Sequence, residues 1–261
     1  MGMLTVNGTR LHYRNEGAGE PLVFVHGLGS SGQDWAKQVD AFADRYRVIT
    51  FDVRGHGQSD KPEGPYSIPL FAADTAALLR KLEAVPATIV GLSMGGMIAF
   101  QLAVDTSDLV RRLVVVNSAA EAKLDSLKDR WIYWSRRLVS NWIGMRATGR
   151  LIAHRVFPKP EQGRLRQEFI DRWAENDKQA YLATIDAIAG WSVIDRLDEI
   201  ACPTLVVAAD EDYTPVSVKR AYAQQIPNAE LAVIEDSRHA TPVERPRAFN
   251  RTLQRFLERE A

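Results

Sequence analysis

Short runs of β-branched and apolar residues alternate with stretches of helical periodicity through the first 118 residues, which restricts the chain to a mostly parallel sheet covered by helices. The runs lie at 4–7, 11–14, 22–25, 48–51, 88–90 and 113–116. The last three are continuously apolar, as strands covered on both faces are. Between them, 67–82 sets Ile68, Phe71, Leu78, Leu79 and Leu82 among alanines, and 97–104 follows a glycine-rich turn; both read as helices.

From 119 to 190 the β-branched runs stop. Leu124, Leu127, Trp131, Trp134 and Leu138 step by three and four, giving one apolar stripe on a helix. Pro158 and Pro160 interrupt before Leu165, Phe169 and Trp173, and a third helix over 177–189 is closed by Gly190. Strands resume at 204–208 and 230–234, and an amphipathic helix over 246–260 opens on Pro246. The expected organisation is therefore a core of residues 1–118 and 191–261 with a helical cap, 119–190, inserted in it.

Lysine plus arginine equals aspartate plus glutamate at 33 each, so no overall field draws in nucleic acid or an anionic membrane. Residues 1–20 carry Asn7, Gly8, Arg10, Asn15 and Glu16, which leaves no apolar stretch for a signal peptide or a spanning helix. The single Cys202, beside Pro203 at the start of an apolar run, reads as a small core residue. A cytoplasmic protein with no membrane partner is the expectation.

The segment 88–96 places Gly91-Leu92-Ser93-Met94-Gly95 between a strand and a helix. Such a turn pushes its serine into strained backbone and brings neighbouring segments too close for Cβ atoms at Gly91 and Gly95. A glycine-rich turn there could also bind phosphate at the helix N-terminus. As a nucleophile, Ser93 needs a base and an oxyanion site. The turn His26-Gly27-Leu28-Gly29, straight after the run 22–25, lets the Leu28 amide approach a substrate oxygen, and the Met94 amide supplies the second donor.

Five histidines compete for the role of base. His12 alternates within an early strand, His154 sits in the insertion, and His26 and His56 lie in glycine-rich turns before the serine. His239 follows the strand 230–234 through a polar loop, so it projects from the carboxyl edge of the sheet, where Ser93 also emerges and where open α/β sheets bind ligands. The strand 204–208 runs into Asp210, Glu211 and Asp212, one of which should accept the Nδ1 proton of the histidine and fix its tautomer.

The order Ser, Asp, His, together with His26–Gly29, Asp52-Val53-Arg54-Gly55-His56-Gly57-Gln58-Ser59, Gly91–Gly96, Pro203–Val207 and Pro215, resembles the α/β-hydrolase fold. The resemblance is to the group that includes bacterial carboxylesterases, enol-lactonases and cofactor-free haloperoxidases, and it covers nearly the whole chain outside the insertion. It implies hydrolysis of a small-molecule ester or lactone through an acyl-Ser93 intermediate, with no metal or organic cofactor, and an architectural role for His56. It also favours Asp212 as the acid, because the acid in such proteins lies past the strand in the turn before a proline. Reach agrees, since Asp212 has cleared the sheet edge. Ala209 departs from the glycine common before that acid. Ser93 disfavours haloalkane dehalogenases and epoxide hydrolases, which use aspartate there. Enol-lactone hydrolysis, C–C bond hydrolysis and perhydrolysis use the same triad, and a ligand receptor on the same fold is the reading from another class.

Five of the six tryptophans fall between 131 and 191. An aromatic cap would shape an apolar pocket, for which Trp131, Tyr133 and Trp134 are the candidate lining, although the same spacing serves core packing. From Arg130 to Arg166 nine basic residues face Glu161 alone, while Glu168 to Glu199 holds eight acidic residues against three basic. This asymmetry suits mutual pairing or solvation, and also attraction of an anionic substrate.

Overall fold

The structure, a computed structural model, describes residues 1–259. Its eight strands are β1 (Gly2–Val6), β2 (Thr9–Glu16), β3 (Pro21–Val25), β4 (Arg47–Phe51), β5 (Ala87–Leu92), β6 (Val110–Val116), β7 (Thr204–Ala209) and β8 (Ala229–Ile234). They form one sheet in the order β1-β2-β4-β3-β5-β6-β7-β8. The β1/β2 and β2/β4 pairs are antiparallel, and every pair from β4 onward is parallel.

Helices α1 (Ala36–Phe42), α2 (Ile68–Lys81) and α3 (Met94–Asp105) connect the first six strands, and α4 (Leu127–Val156), α5 (Gly163–Ala174) and α6 (Lys178–Ile188) lie between β6 and β7. Then come α7 (Val216–Ala223), the single turn α8 (Thr241–Glu244) and α9 (Pro246–Leu257). The last helix was expected to reach 260; it ends at Leu257, and Glu260 lies outside the described residues.

The period of two along each strand divides the core. Val23, Val25, Ile49, Ile89, Val115 and Val206 point to one face and pack with α2, α3 and Tyr222 of α7. Leu22, Phe24, Val90, Val114, Val116 and Val207 point to the other, against Trp35, Phe42 and the α9 residues Phe249, Leu253 and Phe256. Because both faces are covered, β3 and β5 to β7 are almost wholly buried, and each fully buried large apolar side chain contributes about 1.5–3 kcal/mol.

The insertion has a smaller core of its own, Met145, Trp173, Tyr181, Leu182 and Ile185. It is tied to the core at several places, among them Asn176 Nδ2 donating to Gly29 O at 2.9 Å and the Arg172–Asp34 ion pair. Directly after the insertion, Trp191 of the core is buried and donates its indole N–H to Gln101 Oε1 of α3 at 2.8 Å. Val156 and Phe157, at the end of α4, pack on Ala240 beside His239. Among the described residues no helix is long and apolar enough to cross a membrane.

Candidate active site

The turn from β5 into α3 is as tight as its glycines require. Ser93 has φ 56° and ψ −117°, outside the regions open to most residues. A methyl carbon at Gly91 would sit 2.1 Å from the Gly95 carbonyl oxygen, and one at Gly95 would sit 2.1 Å from that of Val25. The backbone is held by the Ser93 N–H donating to Val116 O at 2.9 Å and by Ser118 Oγ donating to Ser93 O at 2.7 Å.

Leu28 and Met94 line one cavity together with Ser93, and among the described residues neither backbone N–H donates to a backbone carbonyl. The turn that carries Leu28, His26–Gly29, is anchored by His26, whose Nδ1–H donates to Gly27 O at 2.8 Å while Nε2 accepts the Val53 N–H at 2.9 Å. His56 is fully buried against His26, and burial pushes its pKa down to about 3, so it is a neutral structural group. His12 Nδ1 lies 3.2 Å from Asp52, whose other contacts, the Gly32 and Gln58 amides at 2.8 Å, tie the neighbouring loops together. His154 is exposed.

His239 reaches the edge of the sheet from the loop after β8, and its Nδ1 lies 2.7 Å from Asp212 Oδ1. Asp210, the competing carboxylate, turns to the backbone and accepts the Asp236 and Ser237 amides at 3.1 Å. Glu211 pairs with Arg238 at the surface.

Asp212 has a second partner that sequence reasoning missed. Lys219 of α7 is fully buried and places Nζ 2.5 Å from Asp212 Oδ2 and 2.7 Å from Thr214 O. Burial works to raise the Asp212 pKa, but the His239 and Lys219 contacts outweigh it and hold the carboxyl below its usual range. Burial lowers the lysine, opposed by the carboxylate. Tyr213 stacks on the imidazole with ring centroids 4.2 Å apart.

Asn117 was missed as well. At φ 44°, in the left-handed region that asparagine tolerates, its Nδ2 donates to Arg238 O, His239 O and Thr241 Oγ1 at 2.8–3.1 Å. Its Oδ1 accepts the Ala209 N–H at 2.8 Å, so one side chain ties the histidine loop to the strand that carries the acid. The available signal was an asparagine directly after the apolar run 113–116.

Ser93, His239, Leu28 and Met94 all border one cavity of about 250 Å³, roofed by Phe157 and Trp173 of the insertion. The cavity is small even for a small-molecule site. The aromatic lining differs from the expectation. α4 breaks at Gly144, whose φ of 77° and ψ of 169° are not helical. Trp131 and Trp134, 71% and 60% exposed, stand on the outer side of the segment before the break, which packs through Tyr133, Arg137 and Ser140. In the segment after the break Met145 and Thr148 are buried and Gly149 lets Trp173 approach closely enough to exclude a Cβ. Tyr133 turns to a separate cleft, where its hydroxyl donates to Asp186 at 2.6 Å.

This fold, with a serine at the elbow and a histidine–aspartate pair across the sheet edge, defines a class, and comparison with known proteins agrees. The family model described as alpha/beta hydrolase fold matches residues 20–246; the chain belongs to that family and is a hydrolase. It is 29% identical over 262 residues to 3-oxoadipate enol-lactonase 2 of Acinetobacter baylyi, covering 98% of this chain and 96% of that one. It is 31% identical to a poly(3-hydroxyalkanoate) depolymerase of Ectopseudomonas oleovorans, covering 92% and 85% of the two chains. The crystal structure of the enol-lactonase from Burkholderia xenovorans LB400 superposes with a TM-score of 0.92 at 30% identity, covering 99% of this chain and all of that one.

Proposed function

We propose that this protein hydrolyses carboxylic esters or lactones of small to medium acyl compounds, with Ser93 as nucleophile, His239 as general base and Asp212 as the orienting acid. The observation that carries this reading is the 2.7 Å contact between His239 Nδ1 and Asp212 Oδ1, made beside a cavity that Ser93 also borders. That contact directs Nε2 to act as the base. In the proposed cycle, Nε2 takes the Ser93 Oγ proton as Oγ attacks the acyl carbon. The resulting oxyanion is met by the Leu28 and Met94 amides. Collapse breaks the bond to the alkoxy oxygen, which leaves with the proton from His239. Water, deprotonated by His239, then cleaves the acyl-serine and releases the acid.

Enol-lactone hydrolysis is the second reading, favoured by near full-length similarity to two enol-lactonases. It follows the same steps, except that the leaving oxygen stays tethered to the acyl group. Ser93→Ala should abolish turnover, on the order of a million-fold, and labelling by a fluorophosphonate, with the fold intact by circular dichroism. Labelling that persists at another serine refutes the assignment. Esters of two to eight carbons in the acyl part should be turned over faster than emulsified long-chain triglycerides, in keeping with the small cavity, and the reverse ranking would exclude a compact acyl site.

A further inference from the structure

Arg136 is the odd residue of this cavity. It projects from α4 to the space bordered by Ser93 and His239, and it stays accessible to solvent. Among the described residues no carboxylate lies within 4.0 Å of its guanidinium, whereas Arg137, its neighbour in sequence, pairs with Asp186. Among the described residues the only hydrogen bond of its side chain is from Nε to the Tyr181 hydroxyl at 3.0 Å, and its Cζ stands 5.9 Å from that ring's centroid. The four terminal N–H groups therefore have no acceptor among the described residues, although a guanidinium is built to offer them as a planar fork.

The other charged groups around the cavity are already matched. Arg172 pairs with Asp34, and Asp212 is shared between His239 and Lys219. Arg155, a second arginine of α4 without an ion-pair partner among the described residues, stacks its guanidinium 5.6 Å from the ring of Tyr213, the residue that covers His239. Two cations of α4, one on each side of its break at Gly144, thus favour negative charge near the cavity. Of these two, Arg136 is the one that lines the cavity Ser93 borders. A neutral, wholly apolar substrate would leave the fork facing an apolar group and would strip its water for no return.

We propose that Arg136 is a specificity-determining residue that selects acyl compounds carrying a carboxylate remote from the scissile bond, by forked hydrogen bonding to that carboxylate. Tyr181 fixes the plane of the fork through Nε, leaving the terminal pair for the ligand. The proposal rests on the reading of Ser93 as an acyl-transfer nucleophile at this cavity.

The test compares monoethyl glutarate with its isosteric primary amide, ethyl 4-carbamoylbutyrate, so that only the remote charge differs. Wild type should favour the acid by about 10- to 100-fold in kcat/KM, the scale of a charge-assisted hydrogen bond, and the preference should shrink as salt is raised. Arg136→Met should reduce the acid-to-amide ratio at least tenfold, Arg136→Lys should retain part of it, and Arg146→Gln, on the same helix but paired with Asp171, should keep the wild-type ratio. A wild type that treats the two substrates alike, or a ratio that survives in both Arg136 variants, overturns the proposal. If Ser93 is labelled by a fluorophosphonate and the amide is hydrolysed in either case, the hydrolase reading stands while the charge proposal falls. If neither substrate turns over, calorimetric binding of the same two compounds to Ser93→Ala decides: tenfold tighter binding of the acid, lost with Arg136→Met, supports the proposal, and equal binding refutes it.

Discussion

Asp212 holds a charge in a place where water cannot reach it, and two neighbours make that tolerable: an imidazole on Oδ1 and an ammonium on Oδ2. Removing either function should have a distinct signature. Asp212→Asn should lower kcat by about ten-thousand-fold through the wrong histidine tautomer, while Asp210→Asn, which loses only amide contacts in the turn, should cost far less; both are read on one ester with folding checked. Lys219→Met should act mainly on stability, by about 3–5 kcal/mol in denaturant titration, because it leaves a buried carboxylate short of one partner. The pH dependence has a definite sign. A carboxyl held below its usual value contributes stability above the unfolded-chain pKa of about 4, and that contribution is lost as pH falls through the lower folded value. Acid titration of Asp212→Asn should therefore lack part of the wild-type loss below about pH 4.

At the scale of elements, α4 separates what sequence periodicity can say from what it cannot. The stripe Leu127, Trp131, Trp134, Leu138 exists, but three- and four-residue spacing does not say which side of a helix meets its neighbours, and here those residues are 60–84% exposed. The inner side before the break at Gly144 carries Tyr133, Arg137 and Ser140, a mostly polar set that reads as a solvent face until Asp186 of α6 is placed against it. Trp131→Ala and Trp134→Ala should each change stability by less than about 0.5 kcal/mol, whereas Trp173→Ala should cost about 3–5 kcal/mol in thermal or denaturant unfolding. The elbow was legible because only glycine fits two residues to either side of Ser93, a constraint written in residue types. The parallel strands were legible because burial on both faces demands unbroken apolar runs. Lys219 was not, since a lysine on a short amphipathic helix ordinarily faces water, and its burial depends on a carboxylate delivered by another strand. Arg136 was hidden for the same reason: the count of nine basic residues flagged the region but could not tell a paired arginine from one left open to the cavity.

For the molecule as a whole, the order of the strands means that no local segment contains the site. Leu28 follows β3, Ser93 follows β5, Asp212 follows β7 and His239 follows β8, so the four meet only after β6 and β7 have paired across the entire insertion. Parallel pairing at such sequence separation is slow, because loop closure must come before any reward from contact. Helices α2 and α3 and the strands β3 to β5 are closer in sequence and form the earlier part of that order. On dilution from denaturant, far-ultraviolet ellipticity should therefore recover before hydrolytic activity, with a measurable lag between the two; simultaneous recovery would show that the two halves of the sheet close together. The convergence of distant strand ends thus makes catalysis itself a clock for the last event of folding.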